Sequence, residues 1–325
     1  MWKSFAPAEW TSPVTQEWDA ISLKSDVPLA QTLAWARAAK SMGAECLWVS
    51  STADQASGLV HAPPGEAGTL HCQNGPLLAW EEPKKAIQQF AYFAQTTARD
   101  WHALYRQRPH TLRLRPRIPK PFWDTGVFET FPIPYAGVEF ASTLRKIIPE
   151  SDISLQQSFS PRLQRTLRHC FTEELQTDWT AVHAISDLKL YTESLRLFSR
   201  RKSFIVPPWE WFESLSQEKQ SMLYLAQVRY QGSSARAWIW IQGTEAHFLF
   251  GERTGPALPG RMALGAAVQL VALQGARSQG ALLYDFNGFQ PEAGGLPAYA
   301  SVSDFKSQFG GDVVDYAIPE FVIEI

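Results

Sequence analysis

The sequence predicts a mixed α/β protein built of two domains of similar size, and three observations carry that prediction. Apolar residues recur at helical spacing in some stretches and alternate in others, and the two patterns take turns along the whole chain. Late in the chain three strand patterns follow one another closely, then a helix and one more strand, an order that makes a meander followed by a crossover. The length of 325 residues exceeds the roughly 100–200 of a single domain and suggests two.

The opening residues read as irregular until 28–43, PLAQTLAWARAAKSMG, where helical spacing sets in and Gly43 supplies a stop. CLWVSSTA and SGLVHA read as strands, and GTLHCQNGPLLAW at 68–80 as a longer or broken one. A long amphipathic helix follows at 84–105, then the strand TLRLRPR, which alternates Arg113, Arg115 and Arg117 onto one face. Proline-rich 118–126 and 131–137 interrupt regular structure, with a further strand expected near 127–131. The stretch IIPESDISL at 147–155 marks the expected boundary, giving domains 1–152 and 153–325, because Ser160-Pro161 then opens a helix as cap and first position.

The second half repeats the style of the first. Helices are expected at 160–176, 186–204 and 207–219, with a short strand near 180–184. MLYLAQVRY, ARAWIWIQG and AHFLFGE form the antiparallel meander, and a helix at 261–277 crosses to ALLYDFNGF at 281–289, which must lie parallel to the strand before it. A short helix near 301–309 and a final strand pair close the chain. This order resembles the layout of a Gcn5-type N-acyltransferase fold.

Composition narrows the partners. A net charge of −2 creates no global field for DNA or an anionic membrane, so any polyanion must be met by local clusters, and membrane contact would be peripheral at most. Cys46, Cys72 and Cys170 are odd in number and widely spaced, as in a reducing compartment, and His71-Cys72 and His169-Cys170 lack ligand-spaced partners for a metal. The N-terminus lacks an apolar run, and the apolar stretch 262–276 is shorter than the roughly 20 residues of a membrane span, so a cytoplasmic location is expected.

Several separate stretches resemble the Fem family of bacterial aminoacyl-tRNA-dependent peptidyltransferases, built from two tandem Gcn5-type N-acyltransferase-like domains. Gln31-Thr32-Leu33-Ala34-Trp35 is similar to the family's early Gln and Trp pattern, and Gly75-Pro76 sits where a Gly-Pro closes a strand. Arg162, Arg165 and Arg168 occupy a helix similar to the basic one opening the second domain. The strongest match is YDFNGF at 284–289 followed by FKSQFGG at 305–311, with Asn287 where the family often has Gly. The segment 205–220 is too short for the family's long coiled-coil arm, which puts contacts between such an arm and tRNA in doubt.

The resemblance implies acyl transfer from aminoacyl-tRNA to an amine of a nucleotide- or lipid-linked peptidoglycan precursor, with no cofactor. Such chemistry needs a neutral amine, a carbonyl about 3–3.5 Å away and donors aimed at the developing oxyanion. The family's motif gives Lys306 that charge-stabilising role and makes Phe305 a stacking surface for a base or ribose. Tyr284, Gly288, Gln31 and Trp35 are implied substrate contacts, and the three arginines an implied grip on a diphosphate. Spacing alone leaves alternatives open. Phe305 and Phe309 can bury one helical face with Lys306 solvated, Asp285 can orient the amine or simply form a turn, and both arginine sets can be solvated faces. Acyl-CoA is the alternative donor, although GERTGPALPGRMALGAA at 251–267 misses the spacing of a CoA pyrophosphate loop. A catalytically silent relative binding a cell-wall ligand through its Trp-rich strand is the third possibility.

Overall fold

The computed structural model describes all residues except 1, 23–27, 54, 65–67, 106–109, 126–134, 173–174, 203, 205, 217–220, 257, 259–261, 291–296 and 325. Two compact units result, Met1–Ala141 with Asp315–Ile325, and Ser142–Val314. The chain therefore divides at 141/142 rather than at the expected 152/153, and its last segment returns to the first unit. The strand expected near 127–131 lies outside the described residues.

In chain order the first unit contains β1 (Lys3–Phe5), α1 (Ser12–Ser22), α2 (Leu33–Ser41), β2 (Glu45–Ser51), β3 (Ala56–Ala62), β4 (Thr69–Asn74), α3 (Pro83–Tyr105), β5 (Thr111–Pro116), β6 (Ile118–Pro119) and α4 (Lys120–Trp123). Strand β7 (Tyr135–Ile147) leads from this unit into the second. There follow α5 (Asp152–Gln157), α6 (Pro161–Thr172), β8 (Gln176–Ala181), α7 (Leu188–Lys202), α8 (Trp209–Ser216), β9 (Ser221–Tyr230), β10 (Ser233–Gln242), β11 (Glu245–Thr254), α9 (Leu264–Ser278), β12 (Leu283–Asp285), α10 (Pro297–Ser307) and β13 (Asp312–Glu324).

The two units share one plan. In the first, β2, β3 and β4 form an antiparallel meander and α3 crosses to β5, which runs parallel to β4. In the second, β9, β10 and β11 form the meander and α9 crosses to β12, parallel to β11. Parallel neighbours need such a crossover, because a hairpin cannot reverse the chain twice. The sheet of the first unit is completed by β1 on β2 and by β13, antiparallel to both β5 and β6. That of the second runs β7-β12-β11-β10-β9-β8.

Several elements differ from the sequence expectation. The opening is regular: β1 pairs with β2, and α1 carries Trp18, whose ring stacks on Trp48 at 4.8 Å. Strand β8 starts earlier than expected, and Val182–Ala184 forms a 3-10 turn instead. The end of the chain is one strand, not two. Pro319 interrupts nothing because β13 pairs β6 before it, through Tyr316 and Ala317, and β5 after it, from Phe321 onward.

Alternation builds the second core. Ala235, Ala237, Ile239 and Ile241 of β10 face α9 and its buried Val268, Leu270 and Leu273. Trp238 points to the other face, with its ring 4.6 Å from that of Phe212 in α8. Helix α9 lies so close to β8 that a Cβ at Gly275 would come 2.2 Å from the Trp179 ring, which stacks on Tyr224. No helix among the described residues is long and apolar enough to cross a membrane.

Gly275 thus keeps helix and sheet in contact. Gly275→Ala should lower unfolding free energy by about 1–3 kcal/mol in a urea titration, overpacking outweighing the ~1 kcal/mol that Ala gains in helix propensity.

Candidate active site

The site grows from the end of the crossover. Strands β11 and β12 pair over three positions only, Glu245 with Leu283, Ala246 with Tyr284 and His247 with Asp285. Beyond Asp285 the chain leaves the ladder, because its carboxylate accepts the Asn287 N–H at 2.7 Å and turns the backbone. Asn287 and Gly288 follow in left-handed conformations, with φ of +48° and +44°. Asn tolerates that region, and its side chain donates to the Phe248 carbonyl at 2.9 Å, tying the turn back to β11.

Asp285 is buried and surrounded by donors. Besides Asn287, Thr143 donates to one carboxylate oxygen and Arg145 approaches the other at 3.3 Å, both from β7. Burial pushes its pKa up, but His247, Thr143, Arg145 and the Asn287 N–H together hold it below the usual carboxylate range. A carboxylate so engaged is a poor proton acceptor, so its chemistry here is to form and fix the turn.

Lys306 reaches this turn from α10. Its ammonium donates to the Asn287 carbonyl and to the Gly288 carbonyl, the second at 2.7 Å, and lies 5.9 Å from the Phe248 ring centre. The side chain is buried, which corrects the solvated placement that spacing left open. Burial lowers its pKa to about 8, with Asp285 acting in the opposite direction.

The aromatic and glycine neighbours of Lys306 explain its position. Phe309 is fully buried, with its ring centre 5.3 Å from those of both Phe286 and Phe305, so Phe305 on α10 and Phe309 just past its end anchor the helix while Lys306 points at the turn. Gly310 and Gly311 then have φ of +71° and +124°, and a Cβ at Gly311 would sit 2.4 Å from the Arg145 carbonyl. Only glycine lets the chain pass there.

The structure thus brings Lys306, Asp285 and Gly288 together, with Phe305 half-buried beside them. Tyr284, implied as a substrate contact, is wholly enclosed, and its hydroxyl donates to Gln269 of α9 at 2.8 Å. Arg162, Arg165 and Arg168 lie exposed on α6, opposite the buried Leu163, Leu167 and Cys170, and none pairs with an acid among the described residues. In the first unit Arg113 pairs with Glu320, Arg115 with Glu139, and Arg117 covers the Tyr316 ring.

Gln31 and Trp35 also belong to the first unit. Gln31 is buried, donating to the Gln73 carbonyl at 2.6 Å and accepting the Leu59 N–H at 2.8 Å, while Trp35 packs edge-on against His61 at 4.8 Å. Gln31 therefore holds β3 and the end of β4 together.

Sequence reasoning missed Thr143, Arg145 and His247, which enter from strands distant in sequence. It also missed Lys146, buried on the other face of β7, whose amine donates to Ser158 at 2.7 Å and whose pKa burial lowers. The alternation of Thr143 and Arg145 on one strand face was the available signal. The described residues hold no group of His, Cys, Asp or Glu fit for a metal.

A meander, a crossover helix and a parallel strand pair, present in each unit, define a tandem Gcn5-type N-acyltransferase fold. That fold is Fem-like: the chain resembles the crystal structure of FemX with a TM-score of 0.71 and 13% identity, over 93% of this chain and 95% of that one. It resembles the C-terminal domain of a protein assigned as a lysylphosphatidylglycerol synthetase from Agrobacterium fabrum at a TM-score of 0.55, with 11% identity and coverage of 94% and 91%. A tandem GNAT protein from the clavulanic acid biosynthesis pathway, solved without AcCoA, gives a TM-score of 0.55, 10% identity and coverage of 100% and 98%. No family model and no curated protein matches the chain.

Two expectations follow. Gln31→Ala strands two buried backbone groups and should lower unfolding free energy by about 2–4 kcal/mol, measured by urea unfolding. Asp285, with its folded pKa depressed, adds stability fully present above its ordinary value of 3.8 and lost as pH falls through the lower folded value. An acid-unfolding series should therefore be flatter for Asp285→Asn than for wild type.

Proposed function

We propose that this chain is an acyltransferase that moves an aminoacyl group from aminoacyl-tRNA to an amine of a peptidoglycan precursor, nucleotide- or lipid-linked. The observation that carries this reading is the buried Lys306 ammonium, held against the turn where β11 and β12 part, in a motif similar to that of the Fem family. The Fem-like fold supports acyl transfer in general, and the donor and acceptor rest on the resemblance of YDFNGF and FKSQFGG.

In this reaction the acceptor nitrogen bonds to the ester carbonyl carbon, the ester C–O bond breaks, and the departing hydroxyl of the tRNA end takes up the proton. Negative charge collects on the carbonyl oxygen in between. Lys306 spends two donors on Asn287 and Gly288 and has a third, together with its charge, for that oxygen or for a nearby phosphate. Phe305 offers a stacking face beside it. Asp285 acts through the turn, fixing the carbonyls that aim the ammonium. Both reactants meet in the cytoplasm, the expected location.

A second reading keeps the chemistry and takes acyl-CoA as donor, supported by the likeness to the tandem GNAT protein from the clavulanic acid biosynthesis pathway. Incubating the protein with charged tRNA, acetyl-CoA and candidate amines separates these readings. Product with charged tRNA alone supports the first, product with acetyl-CoA the second, and ligand binding without turnover removes both.

Lys306→Met, folded by circular dichroism, should lose roughly a hundredfold or more in turnover, the scale of a missing oxyanion donor. Because its folded pKa is about 8, the ammonium is lost as pH rises through that value. The wild-type pH–rate profile should fall there, and the variant's residual rate should lack that descending limb.

A further inference from the structure

The second unit carries a polar cleft distinct from the Lys306 turn. It lies at the β9–β10 hairpin and encloses about 390 Å³, with Gln176, Gln227, Arg229, Tyr230 and Arg236 among its lining residues. Strand register explains their convergence. Gln227 stands opposite Arg236, Arg229 opposite Ser234, and Gln176 opposite Arg229, so Gln176, Gln227, Arg229, Ser234 and Arg236 occupy one face of adjacent strands, while Tyr230 belongs to the other. Arg229 and Arg236 are diagonal neighbours, about 7–8 Å apart at the backbone.

The cleft is rich in donors and poor in acceptors. The Arg236 Nε–H is buried without a hydrogen-bond partner among the described residues. Arg229 commits one terminal nitrogen to the Gln227 carbonyl oxygen at 2.6 Å, which leaves the Gln227 amide nitrogen to donate elsewhere. The Tyr230 oxygen accepts from Gln231 at 3.0 Å. Among the described residues no carboxylate lines the cleft. On the same sheet face Glu252 is engaged by Arg236 at 2.7 Å and by Ser194 at 2.8 Å, and Asp178 accepts from Thr180.

Two guanidinium groups on a rigid sheet, backed by side-chain amides, match a group with several acceptor oxygens and negative charge. We propose that the cleft between Arg229 and Arg236 binds the phosphate of a small phosphorylated molecule. A carboxylate, with two oxygens, would satisfy fewer of these donors.

Titration calorimetry of the full chain at low salt tests this, with inorganic phosphate and pyrophosphate as probes and succinate as the carboxylate control. Saturable binding of a phosphate probe is expected, weakened by roughly tenfold or more in Arg229→Gln. Arg236→Gln leaves Glu252 buried and unpaired, so Gln227→Glu is the second variant. It sets a carboxylate beside Arg229, keeps the Arg236–Glu252 pair, and should weaken binding similarly. Lys306→Met lies outside the cleft and should retain phosphate affinity whatever its effect on turnover. Absence of phosphate and pyrophosphate binding, unchanged affinity in Arg229→Gln, or succinate binding as tightly as pyrophosphate would each overturn the proposal.

Discussion

A buried ammonium bonded to two backbone carbonyls is the contact on which the second unit's site depends. Placing the Lys306 charge away from water costs free energy, and the Asn287 and Gly288 carbonyls offset that cost only because both residues adopt left-handed conformations. Those conformations rest in turn on Asp285, whose carboxylate captures the Asn287 N–H, and on the Asn287 amide bond to β11. The cation, the turn and the acid stand or fall together.

The same plan occurs in both units with different contents. In the first unit Gln31, an uncharged side chain, joins β3 to the end of β4 through its amide. Where the parallel strands β11 and β12 part, the second unit places Asp285, Arg145, Thr143 and His247, all charged or polar and nearly all buried. One topology thus carries an uncharged structural contact and an electrostatically loaded cluster, and side-chain identity makes the difference.

Much of the fold was legible in periodicity. The meander, the crossover helix and the parallel pairing of its following strand all occur, because each rests on local pattern and one handedness rule. Helix α1 was not legible: its tryptophan faces a partner on β2, so its stability comes from packing rather than propensity. The single strand β13 was expected as a pair of strands, and its Pro319 sits where the strand changes partners. At the site, FKSQFGG pointed to Lys306, but Tyr284 and Gln31 turned out to be enclosed, since burial of a motif residue is a tertiary property.

By itself the sequence determined the order of elements, the two-domain plan and the placing of Phe305, Lys306 and the two glycines at a helix end. These follow from spacing within a few residues of chain. Only the tertiary structure decided that Lys306 is buried, that Asp285 is saturated with donors, and that Arg229 and Arg236 share a cleft. Each of those depends on residues brought together from separate strands, and burial and charge pairing exist only once the sheet has assembled.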